Sequence, residues 1–236
     1  MRFSSLILIC SLSATTLTAQ FGVTVFYQST QVSGDYFTSP NASVLGENYE
    51  FAADYWFRFP GKRIEVMPTV SYSTYENAVF DNTSSSVFEF SVFNDVRVHE
   101  FGVQLKTNFY LFDLNDSKQY STSNKRSNFL EKGFFIQLAP GVSHYSVNLT
   151  RESSNTFSRW RNKTFFNLSA GAGFDFAISN LLTITPLVSY RYNVNQAGFS
   201  DLFASCPSCL SSKVEARFST LQAGIRIGVN LNKRQN

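Results

Sequence analysis

Strict apolar alternation, repeated along the whole chain, constrains this fold more than any other feature. In LQAGIRIGVNL (221–231), Leu221, Ala223, Ile225, Ile227, Val229 and Leu231 share one parity, and Gln222, Gly224, Arg226, Gly228 and Asn230 share the other. Successive side chains of a β-strand point to opposite faces, so the run predicts a strand with one wholly apolar face and one polar or bare face. Its apolar face must meet either a dry protein core or lipid, and the rest of the chain decides which.

Seven further runs alternate in the same way: QFGVTVFYQS (20–29), YEFAADYWFRF (49–59), RIEVMPTVSYSTY (63–75), FGVQLKTNFYLF (101–112), FFIQLAPGVSHYS (134–146), FFNLSAGAGFDFA (165–177) and LLTITPLVSYRYN (181–193). No helical period of any length occurs. PGK joins the second run to the third as a tight turn, and residues 178–180 join the sixth to the seventh. The connections after runs one, three, five and seven are long and polar, among them TSPNASVLGEN (38–48) and TRESSNTFSRWRNK (150–163). Short turns on one rim and long loops on the other are the habit of outer-membrane barrels, and an even strand number returns the C-terminus to the side where the chain began.

Two stretches depart from this pattern. VFEFSVFNDVRVH (87–99) alternates, but its apolar parity shifts before Phe101, which predicts a strand extension joined through a bulge near His99 and Glu100. DLNDSKQYSTSNKRSN (113–128) is a long polar connection on what should be the short-turn rim. Eight strands are expected, with ten as the alternative.

The N-terminus reads as a secretory signal peptide over residues 1–19: Arg2, an apolar run from Leu6 to Leu12, and a small-residue finish at Thr18-Ala19. That run is too short to span a bilayer as a helix, and no stretch of about 20 apolar residues follows it. Without residues 1–19 and their Arg2, 19 basic side chains face 17 acidic ones. A balance so near neutral gives no reason to expect nucleic acid. The 25 Phe and 11 Tyr require a large apolar surface to bury. Lipid is the better host. The apolar faces lack charge over most of their length, the opposite faces mix Gly, Ser, Thr, Gln and Asn with charges of both signs, and Tyr and Phe gather near strand ends such as Phe57, Phe59, Tyr190 and Tyr192. The expected location is the outer membrane; a soluble secreted β-sandwich is the structural alternative.

LQAGIRIGVNL is similar to the C-terminal strand that outer-membrane proteins present to their insertion machinery. FGVQLKTNFYLF, GFFIQLAPGVSHY and LSAGAGFDFAISNLLTITPLVSYRY resemble middle and late strands of small outer-membrane β-barrel domains of Gram-negative bacteria, the group of OmpA-type, OmpX-type and PorT-like barrels. The resemblance covers nearly all of 20–236. It implies one all-β domain, an antiparallel transmembrane barrel, with outer-membrane lipid, lipopolysaccharide and the insertion machinery as partners.

Eight strands enclose an interior about filled by their own side chains. Glu50, Asp54, Arg58, Glu65, Lys106, Asp175, Arg191 and Arg226 fall on the inward parity, and charges away from water must pair, so a polar network plugging the lumen is expected. Function then lies in the loops, in a structural or interaction role; a narrow channel for small or apolar solutes is the alternative. Arg159, Trp160 and Arg161, with Lys163 nearby, form a loop candidate for lipopolysaccharide phosphates or a protein partner. Cys206 and Cys209 are expected to close a local loop disulfide in an oxidising envelope. His144 and Ser146, two apart on the apolar parity, are similar to the His-x-Ser arrangement of lipid A deacylases, with Glu152 as a possible orienting acid. That catalytic reading ranks below chance pairing, and no enzyme activity, metal or cofactor is expected. GAGFDF (171–176) lies within a strand and is followed by no helix that could hold a phosphate.

Overall fold

The computed structural model describes residues 18–34, 46–58, 63–76, 95–111, 133–151, 157–179, 181–193 and 216–230. These form nine strands: β1 (Thr18–Gly34), β2 (Gly46–Arg58), β3 (Ile64–Glu76), β4 (Asp95–Tyr110), β5 (Phe134–Arg151), β6 (Phe157–Phe174), β7 (Phe176–Ala177), β8 (Leu182–Asn193) and β9 (Ala216–Asn230). Every pairing is antiparallel, and the sheet closes because β1 pairs with both β2 and β9 while β6 and β7 both pair with β8. Gly173 faces Leu187 and Phe176 faces Ile184 in one register, so β7 continues β6 and the wall is an eight-stranded barrel.

The stagger follows from the ladders. Successive partners from Thr18 are Arg58, Glu65, Asn108, Gln137, Gly171, Ser189 and Gln222, and the circuit re-enters β1 at Gln28, ten residues further along (28 − 18). With the usual strand rise and spacing, a shear of ten over eight strands tilts the strands by about 40°.

Alternation becomes inside and outside. On β1, Phe21, Val23, Val25 and Tyr27 face out, while Thr24, Phe26, Gln28 and Thr30 are buried within. On β9, Ile225 and Ile227 are at least half exposed on the exterior, and Gln222 and Arg226 are buried. Large lumen side chains are admitted where the facing wall is bare: the Trp56 indole lies across Gly22 and Gly228, either of which would meet it if it carried a Cβ. Three prolines, Pro68, Pro140 and Pro186, sit in strand interiors with their rings outward. Proline cannot donate to a ladder, and each coincides with an interruption. Pairing of β2 with β3 breaks between Asp54–Thr69 and Phe57–Val66, that of β4 with β5 between Gln104–Gly141 and Thr107–Leu138, and that along β8 between Gly173–Leu187 and Phe176–Ile184.

Two sequence expectations are corrected. The bulge near His99 and Glu100 does not exist: β4 pairs without a break from Arg97 to Phe109 against β3. The parity shift is instead a change of environment, because Val98 points into the lumen on a straight strand. The stretch 150–163 is not a long loop. Arg151 pairs with Phe157, so β5 and β6 run on as a hairpin connected by residues 152–156. The turn at 178–182 is tight, with the Ile178 and Ser179 amides both donating to the Leu182 carbonyl at 3.0 and 3.2 Å. The segments 87–94, 113–128 and the PGK turn lie outside the described residues, as do residues 1–17; β1 begins at Thr18, two residues before the expected mature start.

Candidate functional site

The lumen gathers most of the inward charges into two clusters. In the upper one, nearer the long connections, Arg191 of β8 reaches across the barrel. Its Nη2 donates to Glu50 Oε1 and Oε2 at 3.0 and 2.7 Å, and its Nη1 donates to Glu100 Oε1 at 2.8 Å. β2 and β4, which carry these acids, each lie three strands from β8 in opposite directions around the wall. The cation therefore ties both sides of the barrel, and all three residues are about 1 % exposed. Glu100 also accepts from Ser143 Oγ at 2.8 Å, Tyr75 OH at 3.1 Å and Ser73 Oγ at 3.4 Å.

Amides extend this network around the wall. Gln28 Nε2 donates to Tyr75 OH at 2.8 Å, Gln222 Nε2 to Gln28 Oε1 at 3.0 Å, and Asn167 Nδ2 to Ser143 Oγ at 2.9 Å. Buried charges carry a desolvation cost that only partners and further hydrogen bonds offset, and here they find both.

The lower cluster centres on Arg226 and Asp175, whose Nη2 and Oδ1 are 3.1 Å apart. The Tyr110 hydroxyl lies 2.6 Å from both Asp175 Oδ2 and Glu65 Oε2, and the Arg226 guanidinium sits 4.9 Å from the centre of the Trp56 ring. Between the clusters, Thr24 Oγ1 donates to Asp54 Oδ2 at 3.2 Å, and Lys106 Nζ lies 5.0 Å from the centre of the Phe26 ring. Arg58 pairs through its backbone with Glu65; its side chain lies outside the described residues.

Glu100 is the central acid that the sequence reading left out. Its signal was present, since it shares parity with Gly102, Gln104 and Lys106 on one unbroken strand.

The other candidates separate. Trp160 stands on strand β6 and faces out, whereas Arg161 and Lys163 lie on the parity that becomes the buried Phe165 and Asn167. Arg159, Trp160 and Arg161 therefore do not form one loop surface. The Trp160 ring instead stacks on His99 at 6.2 Å and 18°, and His99 stacks on Tyr72 at 6.2 Å and 19°, with Tyr72 OH 2.9 Å from His99 Nδ1. His144 also faces out, its Nδ1 2.9 Å from Thr164 Oγ1, while Ser146 is paired with His99 and Asn162. Among the described residues no hydrogen bond joins His144 to Ser146. Cys206, Cys209 and Glu152 lie outside the described residues. Also among the described residues, no group of three or more His, Cys, Asp and Glu is placed to hold a metal ion.

No family model matches the chain, and no curated protein does. Solved structures of similar shape are outer-membrane barrels. A major outer membrane protein from Thermus thermophilus is 13 % identical with a TM-score of 0.49, covering 89 % of this chain and 99 % of its own. The attachment invasion locus protein of Yersinia pestis is 14 % identical with a TM-score of 0.47, covering 89 % and 98 %. Neisserial surface protein A is 14 % identical with a TM-score of 0.42, covering 89 % and 97 %.

Proposed function

We propose that this chain spans the outer membrane of a Gram-negative bacterium as a barrel whose lumen is shut by its own side chains, and that it acts as a structural or interaction protein through the long connections of its outer rim. The observation that carries this reading is the inversion of the usual polarity. Charges and amides are buried in a hydrogen-bonded interior, while Phe51, Val103, Leu168, Ile225 and Ile227 stand about half exposed or more on the wall. An exterior apolar all the way round is far larger than a soluble monomer leaves in water. Rings mark its borders, with Tyr27 against Tyr49 at 5.8 Å towards the long connections and Tyr55 against Phe57 at 4.8 Å towards the short ones. On this reading the short-turn rim faces the periplasm, lipid and lipopolysaccharide surround the wall, and the insertion machinery receives β9.

Folded in detergent, the chain should give β-rich circular dichroism and migrate differently boiled and unboiled. A monomer soluble without detergent and showing no shift would overturn the membrane reading. In planar bilayers the folded barrel should be silent; stepwise conductance would replace the shut lumen with the narrow-channel alternative.

A further inference from the structure

Above the Arg191 layer the lumen changes character. On five of the eight wall strands the lumen position two residues closer to the long connections exchanges a polar side chain for an apolar or aromatic one, while Thr30, Asn48 and Asn193 hold that level on β1, β2 and β8. Tyr75 follows Ser73, Val98 precedes Glu100, Tyr145 follows Ser143, Phe165 precedes Asn167 and Phe218 precedes Thr220. All five are about 1 % exposed. Tyr145, Phe165 and Phe218 come from β5, β6 and β9, and each packs edge-on against the other two at 5.4 to 5.6 Å between ring centres. Tyr75 adds a ring from β3, fixed by its hydroxyl to Gln28 and Glu100.

We infer that these side chains form an apolar septum, and that this septum, not the ion pairs beneath it, keeps water and ions of the outer rim from the lumen. Two physical reasons favour the rings. A hydrogen-bonded charge layer can exchange its partners for water and so can hydrate in place. The interlocked ring edges offer water no partner, the Tyr75 hydroxyl is already bonded to Gln28 and Glu100, and filling a gap between the rings with water is unfavourable. The arrangement also explains how three fully buried charges persist near that end of the wall: the septum keeps their partners from being replaced.

The inference rests on the shut, membrane-spanning barrel proposed above, and its test separates the two. Ser73 lies beside Glu100 just under the septum and is buried. In a chain carrying Cys10→Ser, Cys206→Ser and Cys209→Ser, Ser73→Cys provides a near-isosteric thiol there, the only one in the sequence. The folded barrel, verified by its heat-modifiable mobility, is exposed to a small cationic methanethiosulfonate, and modification is followed by mass.

With the septum intact the thiol should react at least 100-fold more slowly than in the urea-unfolded chain. Phe165→Ala with Phe218→Ala should restore most of that rate; if this pair does not fold, Phe218→Ala alone should raise it by at least tenfold. Glu50→Gln with Glu100→Gln, which weakens the charge layer and leaves the rings, should leave the thiol protected. Rapid labelling of the intact barrel, continued protection in the folded ring variant, or exposure by the two Gln substitutions would each overturn the septum. Conductance of the unsubstituted barrel reports separately on the shut lumen.

Discussion

Arg191 is the residue on which the upper cluster depends, because one guanidinium satisfies acids from two sides of the barrel. Arg191→Met leaves Glu50 and Glu100 without the guanidinium that bridges them. Removing one partner of a buried pair typically costs about 3–5 kcal/mol, and urea unfolding from lipid vesicles should show a loss of that order. Adding Glu50→Gln and Glu100→Gln should recover most of it; no recovery would mean that Arg191 acts through packing instead of charge. A second residue-scale prediction concerns Gly228. A methyl group there would enter the Trp56 ring, so Gly228→Ala should cost about 1–3 kcal/mol and much less in a Trp56→Phe background. Inward charges such as Glu50, Asp54 and Arg226 were legible from parity alone, since every second residue of an unbroken strand points inward. Their pairing was not, because partners such as Glu50 and Arg191 are 141 positions apart in sequence.

At the scale of the strand, the apolar code is written only where lipid reads it. The belt strands were legible within a few residues, and β9 fits the alternation from which it was inferred. Beyond the belt the outer face no longer has to be apolar, so the upper parts of β5 and β6 passed for loop although Arg151 and Phe157 are paired. The inner face there becomes apolar instead, and Val98, Val147 and Phe165 reverse the parity that marks the belt below. A charge should accordingly be costly in one place and tolerated in the other. Ile225→Arg, mid-wall on the exterior, should lower stability by about 2–4 kcal/mol. Trp160→Arg, on the outward parity above the belt, should change it by less than about 1 kcal/mol. Equal losses at the two sites, measured by the same vesicle titration, would contradict the belt.

For the whole molecule, closure rests on the pairing of β1 with β9 from Gln20–Asn230 to Gly34–Ala216. Val25 and Ile225 are partners there, and opposed residues of an antiparallel pair lie within disulfide reach. With Cys10→Ser, Cys206→Ser and Cys209→Ser, Val25→Cys combined with Ile225→Cys should oxidise to an intramolecular bond in the folded barrel and not in urea. A folded barrel that stays reduced would argue against this seam. The count of eight was legible from the runs and their connections once residues 95–99 are understood as the start of β4. The role of the outer rim was not legible, because its long connections carry no periodicity from which a partner could be inferred.

The three outward prolines give this wall an uneven grain. Pro68, Pro140 and Pro186 open the β2–β3, β4–β5 and β6–β8 ladders in turn, so among the described strands every second seam from β2 onward lacks paired residues towards its short-turn end. The first of these is the thinnest, holding only Glu50–Asp54 against Thr69–Ser73 and Phe57–Arg58 against Glu65–Val66, and the last holds Asn167–Gly173 against Leu187–Asn193 and Phe176–Ala177 against Thr183–Ile184. A wall built this way can yield sideways without coming apart, and backbone amides bordering Pro186 should trade their hydrogens for deuterium before those of the β1–β9 seam. The barrel's compliance would then reside in three alternate seams, none of them the one that closes it.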